Sequence, residues 1–207
     1  MAWAPDYVTT RELAAAVRIG DALDDAQLAS AIATASRAID HACGRQFGQL
    51  AAVEVRYFTA RWDTARYRWV VPIDDLMTST GLVIEVDTLD DGSYADEIEV
   101  SAVQLRPANA VAKGRPWTEF VVRPSSAVQP NGCADAVQVT GRWGWTAVPA
   151  AIRHATLLQA SRLLARRDAP FGVAGSPEAG SEVRLLARLD PDVAVAVAPY
   201  RRWWGAV

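Results

Sequence analysis

Between residues 9 and 44 the apolar positions recur with a helical period. In TTRELAAAVRIG, Thr9 stands three residues before Glu12, the arrangement of a capping box, and Gly20 supplies a stop. A second helix is predicted to begin at Asp24, with Gln27 in the matching capping position and Gly44 as its end. On it Leu28, Ile32, Ala35, Ile39 and Ala42 fall on one stripe, while Arg37, Asp40 and His41 face away.

From about residue 51 the period changes to two. AAVEVRYFTA alternates Val53, Val55 and Tyr57 against Glu54 and Arg56, and RYRWVVP and GLVIEVDT continue the strand character. Asp91-Gly92 separates two such segments and marks a hairpin, because both residues tolerate positive φ. With WTEFVVRP, the QPNG turn and DAVQVTGRWGW, the pattern predicts an antiparallel meander of five or six strands over 51–145.

Helix is predicted again from Pro149, whose fixed φ suits a first turn, to about Asp168. Its apolar positions do not form one stripe. Ile152 and Leu163 share a face, Leu157 and Leu164 share another, and Leu158 lies off both, so the helix should be contacted from several sides. APFGVAGSPEAGSE then reads as a flexible loop, and a short helix runs from Asp190-Pro191 to about Pro199. The expected fold class is α+β: a small helical bundle with two N-terminal helices, one long late helix and one short C-terminal helix, carrying an inserted antiparallel β lobe. The expected organisation is 1–50 for the first core helices, 51–145 for the lobe, and 146–207 for the late helix, loop, short helix and C-terminal arm.

Charge narrows the function classes. The net charge of -3 gives no global basic field of the kind that drives non-specific nucleic-acid binding. Lys113 is the only lysine, so twenty of the twenty-one cations are arginine, whose planar fork suits interfaces. Cys43 and Cys133 make no disulfide framework and are expected reduced. The N-terminus does not read as a signal peptide, and no stretch approaches the roughly eighteen apolar residues of a membrane helix.

No catalytic constellation is legible. His41 and Cys43 diverge on their helix and cannot share a metal, and His154 has no carboxylate three or four residues away. Aligning Gly92 with the glycine of an EF-hand loop leaves Leu89 and Ile98 at two ligand positions, which excludes that mode. The GRWGW corner lacks a nucleophile between its glycines. Neither an enzymatic role nor a cofactor or metal is predicted.

Taken together, ASRAIDHACGRQF, the β insertion, WGWTAVPAAIRHATLLQASRLLARRDAPFG and RLLARLDPDVAVAVAPYRRWW resemble the head-to-tail connector (adaptor) proteins of long-tailed bacteriophages, especially those of actinobacteriophages. The resemblance spans nearly the whole chain. It is carried by Trp145, Val148, Pro149, Ile152 and Ala155, by the C-terminal LDPDV and PYRR, and more loosely by Ile39, Gly44, Arg45 and Phe47. It implies a structural virion protein at the neck that forms a ring of twelve copies under the portal protein. Such a ring extends the DNA channel and offers a platform to the next neck or tail protein, the stopper. DNA would pass without sequence-specific binding, and no membrane is involved. Another neck component, a stopper or tail-completion protein, is the neighbouring reading, and a nucleic-acid-binding module is the rival from a different class.

The residues expected at partner or subunit interfaces are Ile152, Leu157, Leu158, Leu163, Leu164, Arg166 and Arg167 on the late helix, and Tyr200, Arg201, Arg202, Trp203 and Trp204 in the arm. The arm draws attention because Trp, Tyr and Arg are the usual anchors of binding energy. Trp143, Trp145 and Pro149 are expected to form a joint between the β lobe and the late helix.

Overall fold

A computed structural model of the chain describes residues 3–18, 25–167, 173–174, 183–184 and 190–202. It has an α+β fold in two compact units: Met1–Phe47 with Val148–Val207, and Gly48–Ala147.

In the first unit, α1 (Thr10–Val17) starts at the predicted capping box. Thr9 Oγ accepts from the Glu12 N–H at 3.3 Å while the Glu12 carboxylate accepts the Thr9 N–H at 2.8 Å. The helix stops at Arg18, which takes the left-handed conformation (φ 59°), so the turn is made before Gly20 is reached. Gly20 and the expected Asp24 start lie outside the described residues. α2 (Asp25–Cys43) ends at Gly44 with φ 61°, where a side chain would be strained.

Leu28, Ile32, Ala35 and Ile39 are buried on α2 as the stripe requires, but Cys43 takes the last buried place instead of Ala42. Asp40 and Arg37 do not face away. They pair at 3.1 Å against Tyr7, a contact with the segment before α1 that helical periodicity cannot reveal.

α3 (Ala150–Arg167) packs against α1, α2 and α4 (Pro191–Val197), so its scattered apolar residues do meet neighbours on several sides. Val8, Leu13, Leu28, Ile32 and Ala160 form one cluster, flanked by Leu157, Leu163 and Leu164. Each fully buried leucine or isoleucine there contributes about 1.5–3 kcal/mol. Pro149 sits just before the helix, its carbonyl accepting the Arg153 N–H at 3.1 Å. α4 begins at Asp190, whose carboxylate accepts the Asp192 N–H at 2.9 Å. Most of the predicted loop between α3 and α4 lies outside the described residues. β9 (Val173–Ala174), inside it, pairs antiparallel with β10 (Val183–Arg184), just past its end, so that stretch is not wholly irregular.

The second unit holds eight strands: β1 (Glu54–Phe58), β2 (Arg61–Asp63), β3 (Arg68–Leu76), β4 (Val83–Val86), β5 (Asp96–Glu97), β6 (Val103–Arg106), β7 (Trp117–Val122) and β8 (Val137–Gly141). They form two four-stranded sheets, in the orders β1-β8-β4-β5 and β2-β3-β7-β6, and not the single meander expected. The difference arises because β4 pairs with β8, more than fifty residues away, and not with its predecessor β3. Ile84, Val86, Val137 and Val139 of one sheet and Val71, Ile73, Phe120 and Val122 of the other share one core.

On β1 the faces are reversed from the simple expectation. Val53, Val55 and Tyr57 point outward at 49%, 43% and 52% exposure. Arg56 and Phe58 lie opposite Val139 and Val137, on the core side. Alternation fixes the period of a strand but not which face is buried. Arg56 is accommodated because its guanidinium lies 5.1 Å over the Trp143 ring and pairs with Asp74 at 2.8 Å.

The ends of this unit are tied together. The Leu50 N–H donates to Trp143 O at 3.0 Å, the Trp145 N–H to Gly48 O at 2.7 Å, and the Gly144 N–H to Asp75 O at 2.6 Å. Both tryptophans are 1% exposed. The Trp143 indole donates to Glu54 O, and the Trp145 indole to the buried Asp75 carboxylate, each at 2.8 Å. Gly144 has φ 103°, and a Cβ there would lie 2.1 Å from Gly48 O. Only glycine permits this close pass.

At the β4–β5 turn the buried Asp87 carboxylate accepts the Gly92 and Asp91 N–H groups at 2.7 and 3.1 Å. Burial alone would raise the Asp87 pKa, but the backbone N–H groups of the turn outweigh it and hold the carboxyl below its usual range. Gly144→Ala should therefore lower the stability of the β unit by about 3 kcal/mol or more, since it combines a backbone clash with a strained φ. Gly92→Ala, at φ 84° in open space, should cost about 1 kcal/mol. Thermal unfolding followed by tryptophan fluorescence checks the contrast; equal losses would contradict it.

Candidate partner and oligomer interface

The late-helix residues divide by exposure. Ile152 is 0% exposed and belongs to the helical unit's own interior, together with Ala155, Thr156 and Ala160. It is not available at the surface of this chain. Leu157, Leu163 and Leu164 are half-buried against the α1–α2 cluster. Leu158 is the outlier, 40% exposed and off both faces. Arg166 is half-buried; Arg167 closes the helix.

Beside Leu163 and Leu164, α2 and α3 enclose a groove of about 390 Å³ with Ala31 on its wall and Ser30 and Thr34 on its rim. Polar contacts link α3 to its other neighbours. Arg153 on α3 pairs with Glu12 on α1, and Arg162 on α3 pairs with the α4 cap residue Asp190 at 2.8 Å.

The start of the C-terminal arm folds back within this unit. The Arg202 N–H donates to Cys43 O at 2.7 Å, and the Tyr200 ring meets Phe47 edge-on, with centroids 5.9 Å apart. Phe47 is 0% exposed and meets Tyr7 in the same T-shaped fashion at 5.7 Å. The Tyr7 hydroxyl donates to Asp40 and accepts the Phe47 N–H at 3.0 Å. Burial, followed by the hydrogen bond to Asp40, pushes the Tyr7 hydroxyl far above its usual range, so it stays protonated as the donor. Burial likewise raises Asp40 against the opposing pull of Tyr7 and Arg37, and pushes the Cys43 thiol up to about 11.

Arg201 is exposed, whereas Arg202 is half-buried. Trp203 and Trp204 lie outside the described residues. Trp143 and Trp145 are both spent inside the β unit, and Pro149 precedes α3.

Two features went unread in the sequence. The Tyr7–Asp40–Phe47–Tyr200 nexus joins residues up to 193 apart, and no local pattern announces it. In the aromatic and arginine cluster RWDTARYRW, strand character is legible only from Arg66 onward, and the β2 strand Arg61–Asp63 carries no such signal. Neither histidine is buried, and among the described residues no three His, Cys, Asp or Glu side chains converge as metal ligands would. No helix among the described residues is long and apolar enough to cross a membrane.

Phe47→Ala should destabilise the helical unit by about 3–5 kcal/mol, and Tyr200→Ala by about 1–2 kcal/mol, the scale of one edge-on aromatic contact with its buried area. Chemical denaturation checks the order; an inert Tyr200→Ala would show that the arm's return is not part of the fold's stability.

No protein family matches the chain, and neither does any curated protein. Among solved structures, a chain from the "Neck of empty GTA particle computed with C6 symmetry" shares the fold. The TM-score is 0.55 at 19% identity, covering 100% of this chain and 96% of that one.

Proposed function

We propose that the chain is a structural neck protein of a phage-like particle, acting as a head-to-tail adaptor. Its copies form a ring beneath the portal protein, extend the DNA channel and present a platform to the stopper. The observation that carries this reading is the likeness to a chain of a particle neck, covering 100% of this chain and 96% of that one. A ring of twelve copies obeys the sixfold symmetry under which that neck was computed.

The surface chemistry supports the same role. A net charge of -3 suits a conduit that must not grip DNA, and arginine forks suit contacts between proteins. The exposed Leu158 and Arg201 lie on the helical unit, with Trp203 and Trp204 following Arg202. We assign these residues to contacts with the portal or neighbouring copies, while Ile152 serves the interior. The role is one of binding and not of catalysis.

Cryo-electron microscopy of particles from the producing cell should show this chain in the ring next to the portal. Density for it elsewhere, or none, overturns the reading. Deleting residues 203–207 should leave the melting transition unchanged and weaken portal association at least about tenfold, as loss of an aromatic anchor does.

A further inference from the structure

The β2–β3 hairpin has no part in the contacts assigned above. Its residues 61–69, RWDTARYRW, carry three arginines and one aspartate. Trp62 and Trp69 are direct cross-strand partners and pack edge-on at 5.2 Å. Trp62 is nevertheless 46% exposed and Tyr67 is 75% exposed. With Val122 and Pro124 these rings enclose a groove of about 290 Å³, room enough for an aliphatic side chain. Large aromatics left open beside arginine are the composition of a protein-binding hot spot.

The same unit carries the opposite surface. Residues 85–99, EVDTLDDGSYADEIE, hold seven acidic residues and no basic one. At the turn, Leu89 is 80% exposed between the buried Asp87 and the exposed Asp90 and Asp91. On β5, Glu97 lies directly across from Glu85. Like charges directly opposite each other in a ladder are unfavourable, and the Gln138 side-chain amide donates to Glu85 at 2.6 Å.

Leu89 does not fill the groove of its own chain. The 131–133 loop stands between the two surfaces: Asn131 donates to Asp87 O at 2.9 Å, and a Cβ on Gly132 would meet the Trp69 ring at 3.1 Å.

We infer that the acidic β4–β5 turn of one copy docks into the aromatic-arginine groove of a second copy, with Leu89 entering between Trp62, Tyr67 and Trp69 and the acidic residues facing Arg68, which lines the groove, and Arg66 in the exposed hairpin turn beside it. Two different surfaces, fixed on one compact unit, meet head to tail. That is the heterologous contact from which closed rings are built. Opposite charge sets the direction of the contact and excludes groove-to-groove pairing. The inference deepens the ring assembly proposed above and rests on it only for the number of copies.

The test is charge reversal with complementation, read by sedimentation velocity on the full chain at about 50 mM salt, where surface charges are least screened. The wild-type chain should self-associate as concentration rises to about 1 mM, and the association should weaken at least about tenfold at 0.5 M salt. Arg66→Glu with Arg68→Glu should abolish it, as should Asp91→Arg with Glu97→Arg. An equimolar mixture of the two variants should restore association, because each variant's turn then meets a groove of opposite charge on the other. Leu89→Ser, which removes one exposed apolar side chain, should weaken association about tenfold without moving the melting temperature. A monomeric wild type throughout that range, or variants that associate like wild type, overturns the inference. So does a mixture that fails to pair although each variant melts as wild type does. Either negative result leaves the neck assignment standing, because that assignment is judged by where the chain sits in the particle.

Discussion

The β unit depends on one close approach, that of Gly144 to the carbonyl of Gly48. Backbone passes there where a Cβ would lie 2.1 Å from an oxygen. On either side of that contact Trp143 and Trp145 are each almost wholly buried, and each indole N–H reaches an oxygen of the same unit. A ninety-odd-residue insertion whose ends were loose would carry a large closure entropy. Here its first and last residues are hydrogen-bonded to each other and to Asp75, so the two sheets above them share one core with a closed base.

The helical unit is organised differently. Its α3 touches α1, α2 and α4 around a buried apolar cluster, with polar ties at Glu12–Arg153 and Asp190–Arg162 at the edges. The chain's far end is folded into the same arrangement through Tyr200 and the Arg202 N–H, beside Phe47 and Cys43. The described part of the arm therefore ends at Arg202, seated on the helical unit.

What the sequence made legible was local. The Thr9–Glu12 capping box, the Gly44 stop and the Asp190-Pro191 start depend on neighbours within a few residues, and each stands as read. The many-sided packing of α3 followed from leucines that refuse one stripe. What failed was whatever depends on distant partners. Alternation in Val53, Val55 and Tyr57 gave a strand but could not say that Arg56 would turn inward, because the decision belongs to Trp143 and Asp74. The pairing of β4 with β8 split one expected meander into two sheets for the same reason. Of the expected interface residues, Ile152 is interior and Leu158 is exposed, a division that helical phase alone did not make. The β2–β3 aromatic groove was hidden because tryptophan and tyrosine in a strand are read first as core.

The proposed role asks one chain to be one of many, and the β unit carries an acidic turn and an arginine-rich hairpin while the helical unit seats its own chain as far as Arg202. The central claim is that copies of this chain gather as a ring on a portal. Native mass spectrometry of the portal alone, and of the portal mixed with an excess of this protein, tests it most directly. The account predicts one dominant complex heavier than the portal ring by twelve copies of a 22.3 kDa chain. An unchanged portal mass, or a ladder of one or two copies that never fills, would contradict it.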